Sequence, residues 1–271
     1  MFAFLKIFLD AFRHWFAREA NIYAAALAYF APFALIPLLA LAVVLVGLLV
    51  GEAVFVEALM RWGSTLAPDI TPMLVDAVTN FTWSEEYWGI PFLGAPIFLW
   101  VLLSTLSLLV RGMYQVWCLP QEGMWHQIEL LLRSSLFFLL LTAFLMLAMA
   151  LSVFTPDVFG ERFFSSFLQS LVMFILIVGL FTVSFGILVR EPLRFSSRLI
   201  GATTVAVLLL MLRFGLGWWL AFTPAIDLFG AAGILLGLLI LIYAMTAVIF
   251  YGAAVAYQVE LRLVRGKIKD L

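Results

Sequence analysis

The chain has 271 residues, of which 66% are apolar and only 11% are charged, and its formal net charge is −1. A soluble domain averages about 45–50% apolar and about 25% charged residues, so this composition excludes a water-soluble globular protein. The near-zero net charge gives no support to a basic nucleic-acid-binding surface, and we expect no nucleic-acid partner.

Residues 1–19 form the first predicted element. Apolar side chains recur at helical spacing, and charged side chains occupy other parts of the helix circumference. The apolar positions are Phe2, Leu5, Leu9, Phe12 and Phe16. This pattern predicts an interfacial helix that lies on the cytoplasmic surface of the membrane. A helix that packs against its own protein fits the same pattern.

Six long apolar stretches follow. About 20 residues at about 1.5 Å each cross the hydrocarbon core of about 30 Å, and each stretch is long enough to do so as one helix. Only one charge, that of Arg213, falls inside them. The predicted fold is therefore all-α, a single polytopic membrane domain of six transmembrane helices over residues 1–271. The predicted spans are residues 24–50, 90–110, 134–154, 167–189, 200–222 and 230–257.

The basic residues indicate the orientation of these spans. The N-terminal arm, residues 111–133, residues 190–198 and the C-terminal tail hold every Lys and Arg except Arg61, Arg162 and Arg213. Cytoplasmic loops carry an excess of basic residues. We therefore predict a multi-pass protein of the bacterial inner membrane with both termini in the cytoplasm.

Residues 51–89 then form an extracytoplasmic loop with acidic character. Within it, Thr71 and Pro72 resemble the cap and first residue of a helix, and apolar residues follow at helical spacing. The loop therefore predicts a short amphipathic helix on the outer surface.

Reactive side chains are sparse in this sequence. Cys118 is the single cysteine, which excludes an intrachain disulfide, and His14 and His126 have no neighbours at metal-ligand spacing. No glycine-rich phosphate loop and no dinucleotide fingerprint is present. We expect no catalytic residue, no metal and no cofactor, and we predict that the protein is not an enzyme.

Arg213 is the strongest candidate for a functional residue. A charge near the middle of a span costs at least about 2.5–3.5 kcal/mol, so a compensating interaction is expected. Hydroxyl groups of Ser104, Thr105 and Ser107 could supply it, as could water, backbone carbonyls or a bound anion. In the alternative interpretation, Arg213 extends its guanidinium to the membrane surface and only anchors the helix.

The first predicted span contains a second irregularity. Pro32 and Pro37 each remove a backbone donor and free carbonyl groups, and such breaks border binding sites in transporters but also occur as plain kinks. Asn21 and Tyr29 precede the break and could line a polar entrance. The candidate substrate or ion pathway thus comprises Arg213, Pro32, Pro37, Tyr29, Asn21, Ser104, Thr105 and Ser107.

Glycines at helix-like spacing predict close helix packing. They are Gly47, Gly51, Gly230, Gly233 and Gly237. Their spacing does not distinguish a contact within the chain from a contact between copies or with an envelope-protein partner.

Several stretches together resemble the YihY/BrkB family of bacterial inner-membrane proteins. They are AAALAYFAPFALIPLLALAVVLVGLLVG at 24–51, the segment 100–117 ending in RGMYQVW, PLRFSSRLIGA at 192–202, LFGAAG at 228–233 and YGAA at 251–254. The resemblance implies a six-span helical bundle with both ends inside the cell. It also implies a link to the cell envelope, because members are associated with serum resistance or envelope lipid export.

Some members of that family carry a ribonuclease label, but no catalytic group in this sequence supports such an activity. We expect a transporter or exporter of a lipid-like or amphipathic, anionic envelope substrate, with membrane lipid around it. A non-catalytic scaffold or envelope assembly factor is the alternative.

Overall fold

In the computed structural model of the chain, the described residues are 2–34, 56–57, 60, 71–72, 75–76, 89–119, 129–137, 139–144, 147, 162–188, 193–222 and 231–269. Within these ranges all regular structure is helical, and no residue belongs to a strand. The predicted all-α class is therefore confirmed.

The helices are numbered in chain order. Helix α1 covers Phe2–Ala17, α2 Ala20–Ala34, α3 Gly89–Val116, α4 residues 129–137 with 139–144, α5 Arg162–Leu188, α6 Phe195–Phe222 and α7 Ala231–Lys269. Residues 71–72 and 75–76 are also helical, but the residues between them lie outside the described part. The short extracytoplasmic helix therefore stays a prediction.

Three of the described helices contain segments long and apolar enough to cross a membrane. The segments are Leu171–Leu188, Phe195–Gly215 and Leu236–Leu263. In lipid, a helix satisfies every backbone donor and acceptor internally, which is why such uninterrupted apolar runs fold this way. They overlap the predicted spans 167–189, 200–222 and 230–257. Much of the first and third predicted spans lies outside the described residues, so the total of six transmembrane spans stays a prediction.

The ends of α6 and α7 differ from the predicted span boundaries. Helix α6 begins at Phe195, inside the segment 190–198 that the sequence indicates as a linker. Helix α7 continues to Lys269, well beyond the predicted end at residue 257. The extra turns of the two helices lie side by side, since Glu260 of α7 accepts a hydrogen bond from Ser197 of α6. This contact stabilises the helical conformation of the polar ends of α6 and α7.

Contacts within the chain define two compact units. The first comprises Met1–Ala31, Leu106–Phe137 and Ile177–Leu271, and the second comprises Pro32–Thr105 and Phe138–Leu176. Most of the described side-chain contacts belong to the first unit. In the second unit, Thr105 donates a hydrogen bond to the Val101 carbonyl within α3, at 2.8 Å. The single membrane domain over residues 1–271 stays a prediction.

The tightest packing in the first unit is the crossing of α6 and α7. A Cβ atom placed on Gly201 would lie 2.7 Å from the Gly252 carbonyl oxygen and 2.7 Å from the Ala256 Cβ. Only a glycine allows two backbones to approach this closely. Val205 and Phe250, both fully buried, lie on the same two helices.

Helix α1 packs against the end of α7. Ala11 and Trp15 are buried, and the Tyr251 hydroxyl of α7 donates a hydrogen bond to the Phe8 carbonyl at 3.1 Å. A second set of α1 side chains is more than half exposed, namely Leu9, Phe12 and Phe16. Helix α1 thus has a packed side and an exposed apolar side. Packing against its own protein is observed, and its position on a membrane surface stays a prediction.

Candidate site at the polar end of the first unit

Many of the polar contacts between helices of the first unit lie at one end, which we call the polar end. It is built from α1, the C-terminal ends of α3 and α5, the start of α4, the start of α6 and the end of α7. The contacts join residues far apart in sequence, by as much as 252 positions in the case of Arg262 and Asp10. The polar end therefore depends on the tertiary fold.

Glu260 stabilises the first turn of α6. Its Oε2 atom accepts hydrogen bonds from the Arg194 backbone N–H at 3.1 Å and from the Ser197 hydroxyl at 2.7 Å, and its Oε1 atom lies 3.6 Å from Arg194 Nε. The first N–H groups of a helix lack intrahelical acceptors, and a negative charge is favourable there. Glu260 thus performs the capping role from another helix.

Arg133 performs the opposite role for α5. Its Nη1 atom donates a hydrogen bond to the Ile187 carbonyl in the last turn of α5 at 2.6 Å, while its Nε and Nη2 atoms donate to the Glu129 carboxylate. A cation near the last carbonyl groups of a helix offsets the negative end of the helix dipole. Nearby, Arg198 Nε donates to the Leu193 carbonyl at 2.7 Å. Arg133, one of the basic residues that indicate membrane orientation in the sequence, therefore also caps the end of a helix.

His14 connects α1 with α3 and α7. Its Nε2 atom lies 2.7 Å from the Val116 carbonyl oxygen, and its ring stacks on Tyr257 with centroids 5.0 Å apart. A carbonyl only accepts, so Nε2 carries the hydrogen. Burial lowers the pKa of His14 below its ordinary value of 6.5; the bond to Val116 opposes this effect and the charge of Arg18 reinforces it. The neutral ring is the form that fits this position.

Trp117 adds a buried contact between α7 and the residue that follows α3. Its Nε1–H donates a hydrogen bond to the Ala253 carbonyl at 2.9 Å, and its ring meets Phe185 edge to face at 5.7 Å. This hydrogen bond lies close to the α6–α7 crossing at Gly252.

A groove of about 180 Å³ lies among α1, α6 and α7 at the polar end. Its walls are almost entirely carbon, with one charged side chain, Arg262. Arg262 Nη2 donates to Asp10 Oδ2 at 2.7 Å. The full lining is Ile7, Phe8, Ile200, Val259, Arg262 and Leu263. The groove can hold an apolar segment of a ligand.

Arg213 lies on the surface of the first unit. Its neighbours on α6, Met211 and Phe214, are 63% and 75% exposed. Arg213 makes no hydrogen bond or ion pair with any residue that the structure describes. Both interpretations of this arginine, a substrate contact and a membrane anchor, agree with such a position.

The three hydroxyl candidates differ in their surroundings. Thr105 is buried and bonded within α3, as described above, whereas Ser104 is exposed. Ser107 Oγ lies 3.3 Å from Ser134 Oγ, which joins α3 to α4. Ser107 and Thr105 therefore have hydrogen-bond partners of their own, and their role in a pathway stays a prediction.

The candidates in α2 lie along a continuous helix. The helix passes through Pro32 and reaches Ala34, while Pro37 lies outside the described residues. Tyr29 is exposed and meets Phe30 edge to face at 5.3 Å, and Asn21 is partly exposed. The helix is therefore unbroken at Pro32, and a break of the first span at Pro37 stays a prediction.

Of the glycines predicted to pack helices, Gly47, Gly51 and Gly230 lie outside the described residues. Gly233 is buried, and no described atom lies within 4 Å of the place that a Cβ would take on Gly237. Sequence reasoning did not select Gly201 and Gly252, which form the close crossing. The only sequence signal for this crossing is a pair of small residues four positions apart, Gly252 and Ala256.

The residues of the polar end were also not selected from the sequence. Glu260 offered a modest signal, because it is an acidic residue in a basic tail opposite the basic segment 190–198. His14 and Trp117 offered none, since their partners are backbone carbonyls 102 and 136 positions away.

Apolar helices of membrane-spanning length that end in a hydrogen-bonded polar layer define an all-α membrane protein. A family model described as virulence factor BrkB matches residues 11–270, and the chain belongs to this family. The resemblance noted from the sequence is thereby confirmed. Neither a curated protein nor a solved structure matches the chain.

Proposed function

We propose that the protein is a multi-pass protein of the bacterial inner membrane, with both termini in the cytoplasm, that transports or exports a lipid-like or amphipathic, anionic envelope substrate. Membership of the BrkB virulence factor family supports an envelope role. No enzymatic activity is part of the proposal. Among the described residues, no group of three or more His, Cys, Asp or Glu could hold a metal ion.

Arg213 is the observation that carries the proposal. It lies about nine residues, or roughly 13 Å, before the end of α6 at Phe222. An ionisable residue within a membrane-spanning helix marks a substrate or ion pathway more often than an ordinary surface position. The exposed guanidinium stands beside the exposed apolar side chains of Met211 and Phe214. This combination suits a molecule with an acidic headgroup and an apolar body.

Substitution of Arg213 tests this function. In vesicles containing the purified protein, we expect Arg213→Leu to slow movement of a fluorescent phosphatidylglycerol by about ten-fold or more, because the charge-assisted bond to the phosphate is lost. Arg213→Lys should retain part of the activity, because it keeps the charge.

Arg13→Leu is the matched control, since it removes an exposed arginine from α1, outside the spans. We expect this variant to transport normally. Normal transport by a folded Arg213→Leu protein would contradict the proposal.

A scaffold or envelope assembly factor is the second candidate function. Gly237 lies on α7 beside the exposed side chains of Leu236 and Ile240, and no described atom covers it. Such a surface suits a helix from another membrane protein or a second copy. Stoichiometric co-purification of an envelope protein, together with inactivity in vesicles, would favour the scaffold.

A further inference from the structure

The exposed side of α1 combines an apolar strip with a basic edge. The strip consists of Leu9, Phe12 and Phe16, which are 54%, 51% and 53% exposed. The basic edge consists of Lys6 and Arg13, which are also exposed and form no hydrogen bond or ion pair with any residue that the structure describes. These two lie seven residues apart, about two helical turns, so they share one side of the helix.

Helix α1 crosses α7 at a large angle. Phe8 and Phe12 both meet Tyr251, the first through its carbonyl at 3.1 Å and the second through a ring contact with centroids 6.4 Å apart. Asp10 lies between them in sequence, yet it bonds to Arg262, eleven positions further along α7. Contacts between helices that run side by side would advance along both helices together. With α7 across the membrane, α1 therefore lies close to the membrane plane.

The rotation of α1 about its own axis places the apolar strip on the deeper side. Arg262 is next to the end of the candidate span Leu236–Leu263, and Tyr251 lies about 16 Å further into it. At about 100° per residue, the basic edge lies within about 60° of Asp10, the residue that meets Arg262. The apolar strip lies within about 60° of Phe12, which meets Tyr251 and is about 160° from Asp10. The strip thus faces the hydrocarbon, and the basic edge faces the phosphate layer.

We propose that α1 is embedded in the leaflet at the polar end, with the apolar strip among acyl chains and the basic edge at the phosphates of anionic lipids. Amphipathic helices bind membranes through this combination of apolar area and positive charge. The opposite side of the same helix packs on α7, so α1 joins the lipid surface to the end of a span. A second copy on this surface would bring four positive charges to one interface, which disfavours it.

Two neighbouring residues with opposite expected environments test this placement. Phe16 belongs to the apolar strip, and the exposed Ala17 lies beside the basic edge. A nitroxide would be attached to Phe16→Cys or to Ala17→Cys in the full chain. Cys118→Gly removes the native thiol in both, because glycine suits the positive φ of 56° at that position.

Collision rates of the label with O2, which dissolves in the bilayer, and with an uncharged water-soluble nickel chelate measure its depth. In vesicles of phosphatidylcholine and phosphatidylglycerol, we expect the ratio of the O2 rate to the nickel rate to be several-fold higher at Phe16→Cys than at Ala17→Cys. Should Phe16→Cys fail to fold, Leu9→Cys should give the same high ratio.

Equal ratios at the two positions would overturn the proposal. Slow collisions with both reagents at Phe16→Cys, together with magnetic broadening between labels, would also overturn it, because they indicate a second copy on this surface.

The charge of the lipid tests the basic edge. We expect Lys6→Gln combined with Arg13→Gln to lower the ratio at Phe16→Cys in vesicles that contain phosphatidylglycerol, because each positive charge favours the embedded helix by about five-fold. The same pair should have no effect in vesicles of phosphatidylcholine alone. An equal change in both kinds of vesicle, or no change in either, would overturn the contact with anionic lipid.

This lipid contact is separate from the transport proposed at Arg213. Loss of one basic residue from α1 leaves the membrane spans in place, so Arg13→Leu still transports. Arg213→Leu should keep the difference between the labels at Phe16→Cys and Ala17→Cys. Loss of transport and loss of the lipid contact are therefore distinguishable.

Discussion

His14 ties the stability of the protein to pH. Because burial lowers its pKa below 6.5, the unfolded chain binds a proton here at a higher pH than the folded protein does. The stabilisation is complete above about pH 6.5 and is lost as the pH falls from there towards the lowered pKa. The protonated ring would still donate to Val116, but its charge would be partly buried beside Arg18.

We therefore expect the thermal unfolding midpoint in detergent to be constant from about pH 8 to 7 and to fall below about pH 6.5. His14→Gln should reduce this fall, because glutamine still donates to the Val116 carbonyl but does not titrate. His126→Gln removes the other histidine and should leave the fall intact. Identical pH profiles for the unaltered protein and His14→Gln would contradict this role. Tryptophan fluorescence during heating measures the unfolding midpoint of the unaltered protein and of each variant at each pH.

At the residue scale, the sequence predicted few of the contacts that the structure shows. Hydropathy marks Arg213 because a single charge is conspicuous in an apolar run. The partners of His14 and Trp117 are main-chain carbonyls, which every residue carries, so no side-chain pattern identifies them. Only the folded arrangement of α1, α3 and α7 brings these groups together.

At the scale of elements, the crossing of α6 and α7 depends on the absence of a side chain at Gly201. An alanine Cβ there would lie 2.7 Å from both the Gly252 carbonyl and the Ala256 Cβ, so the helices must move apart. We expect Gly201→Ala to destabilise the protein by about 1–3 kcal/mol, as overpacking does.

Gly215→Ala is the matched control on the same helix, because no described atom lies within 4 Å of its Cβ position. It should be neutral or stabilising by about 0.5–1 kcal/mol, through the better helix propensity of alanine. Unfolding by denaturant in mixed micelles measures the stability of the Gly201→Ala and Gly215→Ala variants. Equal stability of the two variants would rule out the tight crossing.

The cores of the long helices could be predicted, but their ends could not. Helices α5, α6 and α7 were found because each contains an apolar run longer than a membrane crossing needs. Their boundaries depend on capping groups from other helices. Glu260 caps α6 from 63 positions away, and Arg133 caps α5 from 54 positions away, distances over which sequence spacing carries no information.

At the scale of the whole molecule, the arrangement across the membrane is open to direct measurement. The start of α6 and the end of α7 share the polar end with α1, and the predicted topology places all three segments on one side of the membrane. Together with the bias of basic residues, this supports termini that both face the cytoplasm.

Reporter fusions would test the topology. We expect a cytoplasmic reporter to be active at both ends of the chain, and a periplasmic reporter to be active within residues 51–89. Replacing basic residues of the segment 190–198 should weaken the orientation, because the bias in basic charge is reduced. Termini on opposite sides of the membrane would contradict the six-span arrangement.

The docking of α1 on α7 has a consequence for biogenesis. The ribosome synthesises α1 before α7, so the groups that hold α1 in place, Tyr251 and Arg262, do not exist while the intervening residues are made. During that interval all the apolar side chains of α1, including those that are buried in the folded protein, need lipid or an insertion factor as a temporary neighbour. Synthesis of α7 is thus the step that allows α1 to dock in its final position.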